Sequence, residues 1–182
     1  MYGLRVLDEP KLPWEGQSTW SEAIGELIDT RLSRFGDQLT SRVPNLSDIV
    51  AALSDFLKTR DGVRMSILHG DLCGPNIMVA NDLKPLSVFD FGFLTLVGDP
   101  ALDASISSAI FNMYGPHARD IDDEVTDFFS RRLGHSIQTL LAYRAVYGCL
   151  TSNAYALDGS DGHFEWCVTM LNRADVQTAL GL

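Results

Sequence analysis

The sequence has little positive charge and few cysteines. Lys and Arg together number 14 against 24 Asp and Glu, which gives a net charge of −10 over 182 residues. Because nucleic acids and anionic membranes bind basic surfaces, this balance argues against both as partners. The three cysteines are widely spaced and form no C-x-x-C pair, so neither a zinc site nor a disulfide framework is indicated.

Long apolar runs and targeting signals are also missing. No stretch reaches the ~18 apolar residues that a membrane-spanning helix needs. The first ten residues, MYGLRVLDEP, lack the basic and apolar regions of a secretory signal. The chain is 46% hydrophobic and 21% charged, a globular balance. We therefore expect one cytoplasmic domain with a sizeable core.

The residues that point to chemistry lie in one stretch, residues 67–103. His69, Asp71 and Asn76 form the pattern H-x-D-x-x-x-x-N, and Asp90 opens D-F-G fourteen residues after Asn76. This is the spacing of a kinase catalytic loop and its metal-binding partner. A carboxylate at the position of Asp71 can accept the proton of a hydroxyl nucleophile.

The residues between Asn76 and Asp90 predict a small β-hairpin. Two apolar runs, 77–79 and 86–89, flank a turn signal at 81–85 that contains Asn-Asp and then Pro. Because a hairpin brings its outer ends side by side, Asn76 and Asp90 should face one small volume. Carboxylate and amide oxygens suit Mg²⁺, so we expect this hairpin to carry a metal site.

These motifs, together with the segment Gly98-Asp99-Pro100-Ala101-Leu102-Asp103, resemble the aminoglycoside phosphotransferase family, which includes choline kinase-like and other small-molecule kinases. The G-D-P-x-x-D segment favours this family over the protein kinases, which carry A-P-E after D-F-G; no A-P-E occurs here. The resemblance implies a mainly helical α+β fold, the C-terminal lobe of a protein kinase-like fold. It also implies ATP as co-substrate, Mg²⁺ as cofactor and a small-molecule hydroxyl as phosphate acceptor.

The family's roles carry over position by position. The resemblance makes Asp71 the catalytic base, makes Asn76 and Asp90 the Mg²⁺ ligands, and gives His69 the role of bracing the loop. The family often places acids that recognise substrate in its C-terminal helices. The candidate substrate contacts here are Asp158, Asp161 and Glu165. A solvated loop is the interpretation favoured for these acids, and substrate recognition is the alternative.

Helical periodicity surrounds the central stretch. A capping box of Ser18 or Thr19 with Glu22 predicts the start of a first helix, and Gly36 predicts its end. Further helices are predicted from residue 46 to a stop at Gly62, and over 104–114, 120–132, 136–157 and 163–180. Asp103 is expected to cap the helix at 104–114 and to hold the loop before it.

The sequence departs from the family pattern in the features of an N-terminal lobe. No G-x-G-x-x-G occurs, and none of the three lysines, Lys11, Lys58 and Lys84, sits on a V-A-I-K-like strand. We therefore expect a single C-terminal lobe over residues 1–182 without its N-terminal lobe. Residues 1–19 are expected to form an extended arm, and 20–62 helices. Residues 66–103 then carry the catalytic loop, hairpin and D-F-G, and 104–182 form a helical substrate-side subdomain.

Two function classes remain open on the sequence. One is an ATP-dependent small-molecule phosphotransferase, or the half that holds its base and metal ligands, which alone would bind nucleotide weakly and turn over little. The other is a catalytically inactive kinase lobe that acts as a binding or interaction module. A dimer or a separate N-lobe partner is expected. Aminoglycosides, macrolides, choline-like compounds and sugars all remain candidate acceptors.

Overall fold

The computed structural model describes residues 16–91 and 94–182. The helices are α1 (Trp20–Thr40), α2 (Leu46–Lys58), α3 (Pro100–Ile110), α4 (Ala118–Leu133), α5 (Ile137–Thr151), α6 (Gly162–Asn172) and α7 (Ala174–Ala179). The strands are β1 (Ser66–Ile67), β2 (Ile77–Val79), β3 (Pro85–Val88) and β4 (Val97–Gly98), with a 3₁₀ turn at Gly74–Asn76. The predicted mainly helical α+β fold is confirmed. Residues 1–15 of the predicted extended arm lie outside the described residues.

The described residues form two compact units. The first comprises residues 64–91 and 94–140, and the second comprises residues 16–63 and 141–182. The first unit holds all four strands, α3, α4 and the start of α5. The second holds α1, α2, the remainder of α5, α6 and α7. None of the helices in the described ranges has the length and hydrophobicity of a membrane span.

In the second unit, α1 begins at the predicted capping box. The Thr19 hydroxyl accepts the N–H of Glu22, and the Glu22 carboxylate accepts the N–H of Thr19. The predicted stop at Gly36 is wrong, because the helix continues to Thr40. One glycine costs a helix about 1 kcal/mol. Fully burying Leu39 in the final turn gains about 1.5–3 kcal/mol, so the longer helix is favoured.

Three other predicted helix ends in this unit are corrected. Helix α2 ends at Lys58, before the predicted stop at Gly62. Helix α5 ends at Thr151 instead of residue 157. The predicted helix over 163–180 is two helices, because Arg173 adopts an extended conformation with ψ 129°. Its guanidinium is bound to the carboxylate of Asp175 at 3.0 and 2.6 Å, which fixes the break.

The core of the second unit is built around an aromatic contact. The indole Nε1 of Trp20 donates to the hydroxyl of Tyr143 at 2.8 Å, and both side chains are buried. The Phe56 ring meets the Tyr143 ring edge-on, with centroids 5.0 Å apart. The apolar stripes of α1 and α2 supply further fully buried side chains to this unit. They include Ile24, Leu39, Ile49, Leu53 and Leu57.

In the first unit, the predicted hairpin is present. Strands β2 and β3 pair antiparallel, with Ile77 opposite Val88 and Met78 opposite Ser87, and the register shifts at Val79. Strands β1 and β4 form a second antiparallel pair that was not predicted. Each has only two residues, which is too short for an alternating pattern to be visible in the sequence.

The start of α3 differs from the prediction. Its cap is Asp99, whose carboxylate accepts the N–H of Ala101 at 3.0 Å, and Pro100 is the first helical residue. Asp103 therefore lies in the first turn of α3 and is not its cap. Because Pro favours the first helical position, the G-D-P segment itself marks the helix start. The next helix, α4, begins at Ala118 and ends before Gly134.

Candidate active site

The loop that carries Asp71 is held by the carboxylate of Asp103. One carboxylate oxygen accepts the N–H of His69 and the other accepts the N–H of Gly70, both at 2.9 Å. Gly70 has φ +81°, and a Cβ there would lie 2.3 Å from the carbonyl carbon of Leu94. Only glycine fits this position. The prediction that Asp103 holds the loop is confirmed.

His69 connects the catalytic loop to the segment before Asp90. Its Nδ1 accepts the N–H of Asp71 at 3.2 Å, and its Nε2 lies 3.1 Å from the carbonyl oxygen of Phe89. Nδ1 therefore acts as an acceptor, and Nε2 faces a carbonyl oxygen that can only accept. The ring also stacks on Phe91, with centroids 4.5 Å apart. These contacts are what a bracing residue makes.

The side-chain amide of Asn76 is bound to both the backbone and the side chain of Asp71. The Nδ2 of Asn76 donates to the carbonyl oxygen of Asp71 at 2.9 Å and to its carboxylate at 3.2 Å. Pro75 lies in the 3₁₀ turn that places this amide, and Asn76 is buried. With Nδ2 directed at Asp71, the amide oxygen is the atom left to bind a cation. The carbonyl oxygen of Asn76 accepts the N–H of Phe89 at 3.1 Å, next to Asp90.

The two carboxylates of the site interact electrostatically. Burial raises the pKa of the Asp71 carboxyl above its usual value, and the negative charge of Asp90 raises it further. The Asn76 hydrogen bond and His69 oppose these effects without cancelling them. Asp90 is exposed and has φ +57°, a left-handed conformation that Asp tolerates better than most residues. The structure thus brings His69, Asp71, Asn76 and Asp90 together.

A magnesium site on the hairpin remains a prediction. Within residues 16–91 and 94–182, no group of three or more His, Cys, Asp or Glu side chains is arranged to hold a metal ion. The predicted donor set has two carboxylates and one amide. Such a set is typical of Mg²⁺ sites in which substrate phosphate supplies further oxygen ligands.

The three candidate substrate contacts lie in the second unit, and each has a structural partner. Asp158 accepts the backbone N–H two residues further on, at 3.1 Å. Asp161 caps α6 by accepting the backbone N–H three residues further on, at 2.7 Å. Glu165 forms a double hydrogen bond with Arg42, at 2.8 and 2.7 Å. Their role in substrate recognition stays a prediction.

Sequence reasoning missed one residue at the loop. The hydroxyl of Thr95 donates to the carbonyl oxygen of His69 at 2.6 Å. A threonine in a short segment between D-F-G and G-D-P carries no signal for such a bond, because its partner is 26 residues away. Only the folded chain reveals the contact.

Comparison with protein families matches residues 10–144 to APH, the phosphotransferase enzyme family. The matched range covers well over half of the chain. It includes the loop of Asp71, the β2–β3 hairpin and Asp103. Comparisons with the curated proteins and with the solved structures found no match.

Proposed function

Because this chain belongs to the phosphotransferase enzyme family, we propose that it is the catalytic lobe of an ATP-dependent phosphotransferase that acts on a hydroxyl of a small molecule. One observation carries the proposal. The Asn76 amide is bound to both the carbonyl and the carboxylate of Asp71, beside the charge of Asp90. This arrangement supplies a proton acceptor and cation ligands in one place.

Asp71 is the proposed base. The acceptor hydroxyl gives its proton to the Asp71 carboxylate, and its oxygen forms a bond to the γ-phosphorus of ATP. The bond from that phosphorus to the oxygen bridging the β- and γ-phosphates breaks, and ADP leaves with the bonding electrons. The raised pKa of Asp71 makes it a better proton acceptor than an ordinary aspartate.

Asn76 and Asp90 are the proposed ligands of Mg²⁺. The atoms that these two side chains can offer to a cation are the amide oxygen of Asn76 and the carboxylate oxygens of Asp90. Mg²⁺ prefers oxygen ligands of this kind. When bound, the ion would neutralise charge on the transferred phosphate. The described lysines do not add to the site, because Lys58 and Lys84 are each paired with a nearby carboxylate at 2.9 and 2.6 Å. We therefore expect the 182-residue chain to bind Mg·ATP weakly.

The hairpin offers an apolar wall for the nucleobase. Met78 is opposite Ser87, and Phe89 is two residues beyond Ser87, so their side chains share one face of the hairpin. Met78 and Phe89 are 52% and 43% exposed. This face begins where Asn76 and Asp90 lie, which suits a nucleotide whose phosphates reach those two residues.

The second candidate function is a non-catalytic binding module. The observation that favours it is the number of exposed apolar side chains on the hairpin. Besides Met78 and Phe89 these include Val79, Leu83, Leu86 and Val88. An exposed apolar surface of this kind is typical of an interaction site. In this case the hairpin would bind a protein partner in place of adenine.

The two functions are separated by titrating Mg·ATP into the 182-residue chain and following backbone amides by NMR. The phosphotransferase proposal predicts shifts concentrated at Asp71, Asn76, Met78 and Asp90. Asp90→Asn should weaken these shifts, while the exposed control Asp29→Asn on α1 should leave them unchanged. No site-specific shift at several millimolar nucleotide would contradict the proposal and favour the binding module.

Turnover tests the base directly. ADP release is measured against a panel of aminoglycosides, macrolides, choline and sugars. Where an acceptor stimulates release, Asp71→Asn should lower turnover by about 10²–10⁴-fold, and Asp29→Asn should not. A loss of less than threefold in Asp71→Asn would remove Asp71 from the role of base. If turnover is too slow to measure, the binding titration decides the proposal.

A further inference from the structure

The peptide unit between His69 and Gly70 is held at both of its polar groups. Its N–H donates to Asp103 at 2.9 Å, and its C=O accepts the hydroxyl of Thr95 at 2.6 Å. A peptide unit that lost one of these contacts would be able to rotate, because only the other would oppose it. Thr95 and Asp103 together therefore fix the plane of this peptide.

The backbone around Thr95 lies directly against the same loop. A Cβ at Gly70 would lie 2.6 Å from the carbonyl oxygen of Leu94 and 2.7 Å from the nitrogen of Thr95. Directly after β1, the N–H of Leu68 donates to the carbonyl oxygen of Leu96 at 2.8 Å. Residues 94–96 thus support three successive residues of the catalytic loop, and Thr95 supplies the side-chain contact.

Asp71 follows directly on this peptide. The contacts of Thr95 and Asp103 therefore also hold the backbone from which the Asp71 side chain projects. The left-handed φ of Gly70, +81°, belongs to the orientation observed. The N–H of Asp71 then reaches Nδ1 of His69, and the Asp71 carboxylate reaches Asn76. Loss of the Thr95 contact would loosen the backbone on which both of these contacts depend.

We propose that Thr95 is a positioning residue, whose hydroxyl fixes the 69–70 peptide and thereby the carboxylate of Asp71. The consequence for phosphoryl transfer rests on the function proposed above. Misplacing a reacting group by about 1 Å costs up to about 10²-fold in rate. We expect loss of one of two contacts to lower kcat about tenfold and to change KM for ATP less than twofold.

The test compares Thr95→Val, which removes the hydroxyl and keeps the shape, with Thr95→Ser, which keeps the hydroxyl. The matched control is Thr169→Val. Thr169 is exposed on α6, and its hydroxyl donates to a backbone carbonyl at 2.8 Å in the same way. If Thr95→Val does not fold, as judged by circular dichroism, Thr95→Ala removes the same hydroxyl without a branched side chain.

Amide exchange is a readout that does not depend on turnover. Amide exchange at Gly70 and Asp71 should become at least tenfold faster in Thr95→Val. Thr95→Ser should stay within twofold of the parent chain in exchange and turnover, and Thr169→Val should match it.

Unchanged exchange in Thr95→Val would overturn the proposal. So would a Thr95→Ser variant as impaired as Thr95→Val, since shape and not the hydroxyl would then matter. If exchange responds while a measurable turnover does not, the positioning role stands and Asp71 is not the base. Failure of the proposed function is thereby separated from failure of this inference.

Discussion

The close approach of Gly70 to the segment at Leu94 gives a sharp stability prediction for Gly70→Ala. Its new Cβ would lie 2.3 Å from the Leu94 carbonyl carbon, and backbone atoms cannot move aside as a flexible side chain can. A residue with a Cβ at φ +81° costs about 1–2 kcal/mol. Overpacking costs typically a further ~1–3 kcal/mol. We expect Gly70→Ala to lose about 2–5 kcal/mol of unfolding free energy.

Gly134→Ala is the matched control. Gly134 lies in the same unit and has φ +75°, but a Cβ there would meet nothing within 4 Å. Gly134→Ala should therefore lose only the ~1–2 kcal/mol of unfolding free energy that a Cβ costs at positive φ. The difference between the two variants isolates the steric contact with Leu94, at about 1–3 kcal/mol.

The assay is urea unfolding followed by far-UV circular dichroism. Tryptophan fluorescence does not suit this unit, because the tryptophans of residues 16–91 and 94–182, Trp20 and Trp166, lie in the second unit. For a chain of this length each kcal/mol lowers Tm by about 2–4 °C, so thermal unfolding offers a second measurement. If Gly70→Ala were no less stable than Gly134→Ala, the catalytic loop would not be pressed against residues 94–95. The support attributed to that segment would then be wrong.

Three further outcomes are expected. Tyr143→Phe leaves the buried indole N–H of Trp20 without its acceptor and should cost about 1–3 kcal/mol in urea unfolding followed by tryptophan fluorescence; an unchanged midpoint would contradict this. Burial lowers the pKa of His163, so the folded state favours the neutral imidazole. The contribution of His163 to stability is fully present above its unfolded pKa of about 6.5 and is lost as pH falls from there towards the lower folded pKa. His163→Gln should therefore show a smaller drop in urea midpoint between pH 7.5 and 5 than the parent chain. Burial raises the pKa of the Cys149 and Cys167 thiols to about 12. A disulfide reagent near pH 8 should therefore modify Cys73 alone in the folded chain, and Cys73→Ser should abolish the reaction.

The sequence by itself determined the local features of the molecule. Turn residues between two apolar runs were enough to predict the β2–β3 hairpin, because a hairpin is set by neighbours in the chain. The capping box at Thr19 and Glu22 was predicted for the same reason. The spacing of His69, Asp71 and Asn76 also identified the loop that the folded chain holds together. Each of these depends on contacts between residues close in sequence.

The tertiary structure decided what depends on distant partners. Helix α1 passes through Gly36 because Leu39 is buried in the core, and the sequence shows no such burial. Asp103 binds the backbone of His69 and Gly70 from 34 and 33 residues away, in a helix whose cap is another aspartate. The hydroxyl of Thr95 completes the same peptide's contacts. Hydrogen-bond partners of this kind leave no periodic trace in the sequence, because long-range packing alone brings donor and acceptor within 3 Å.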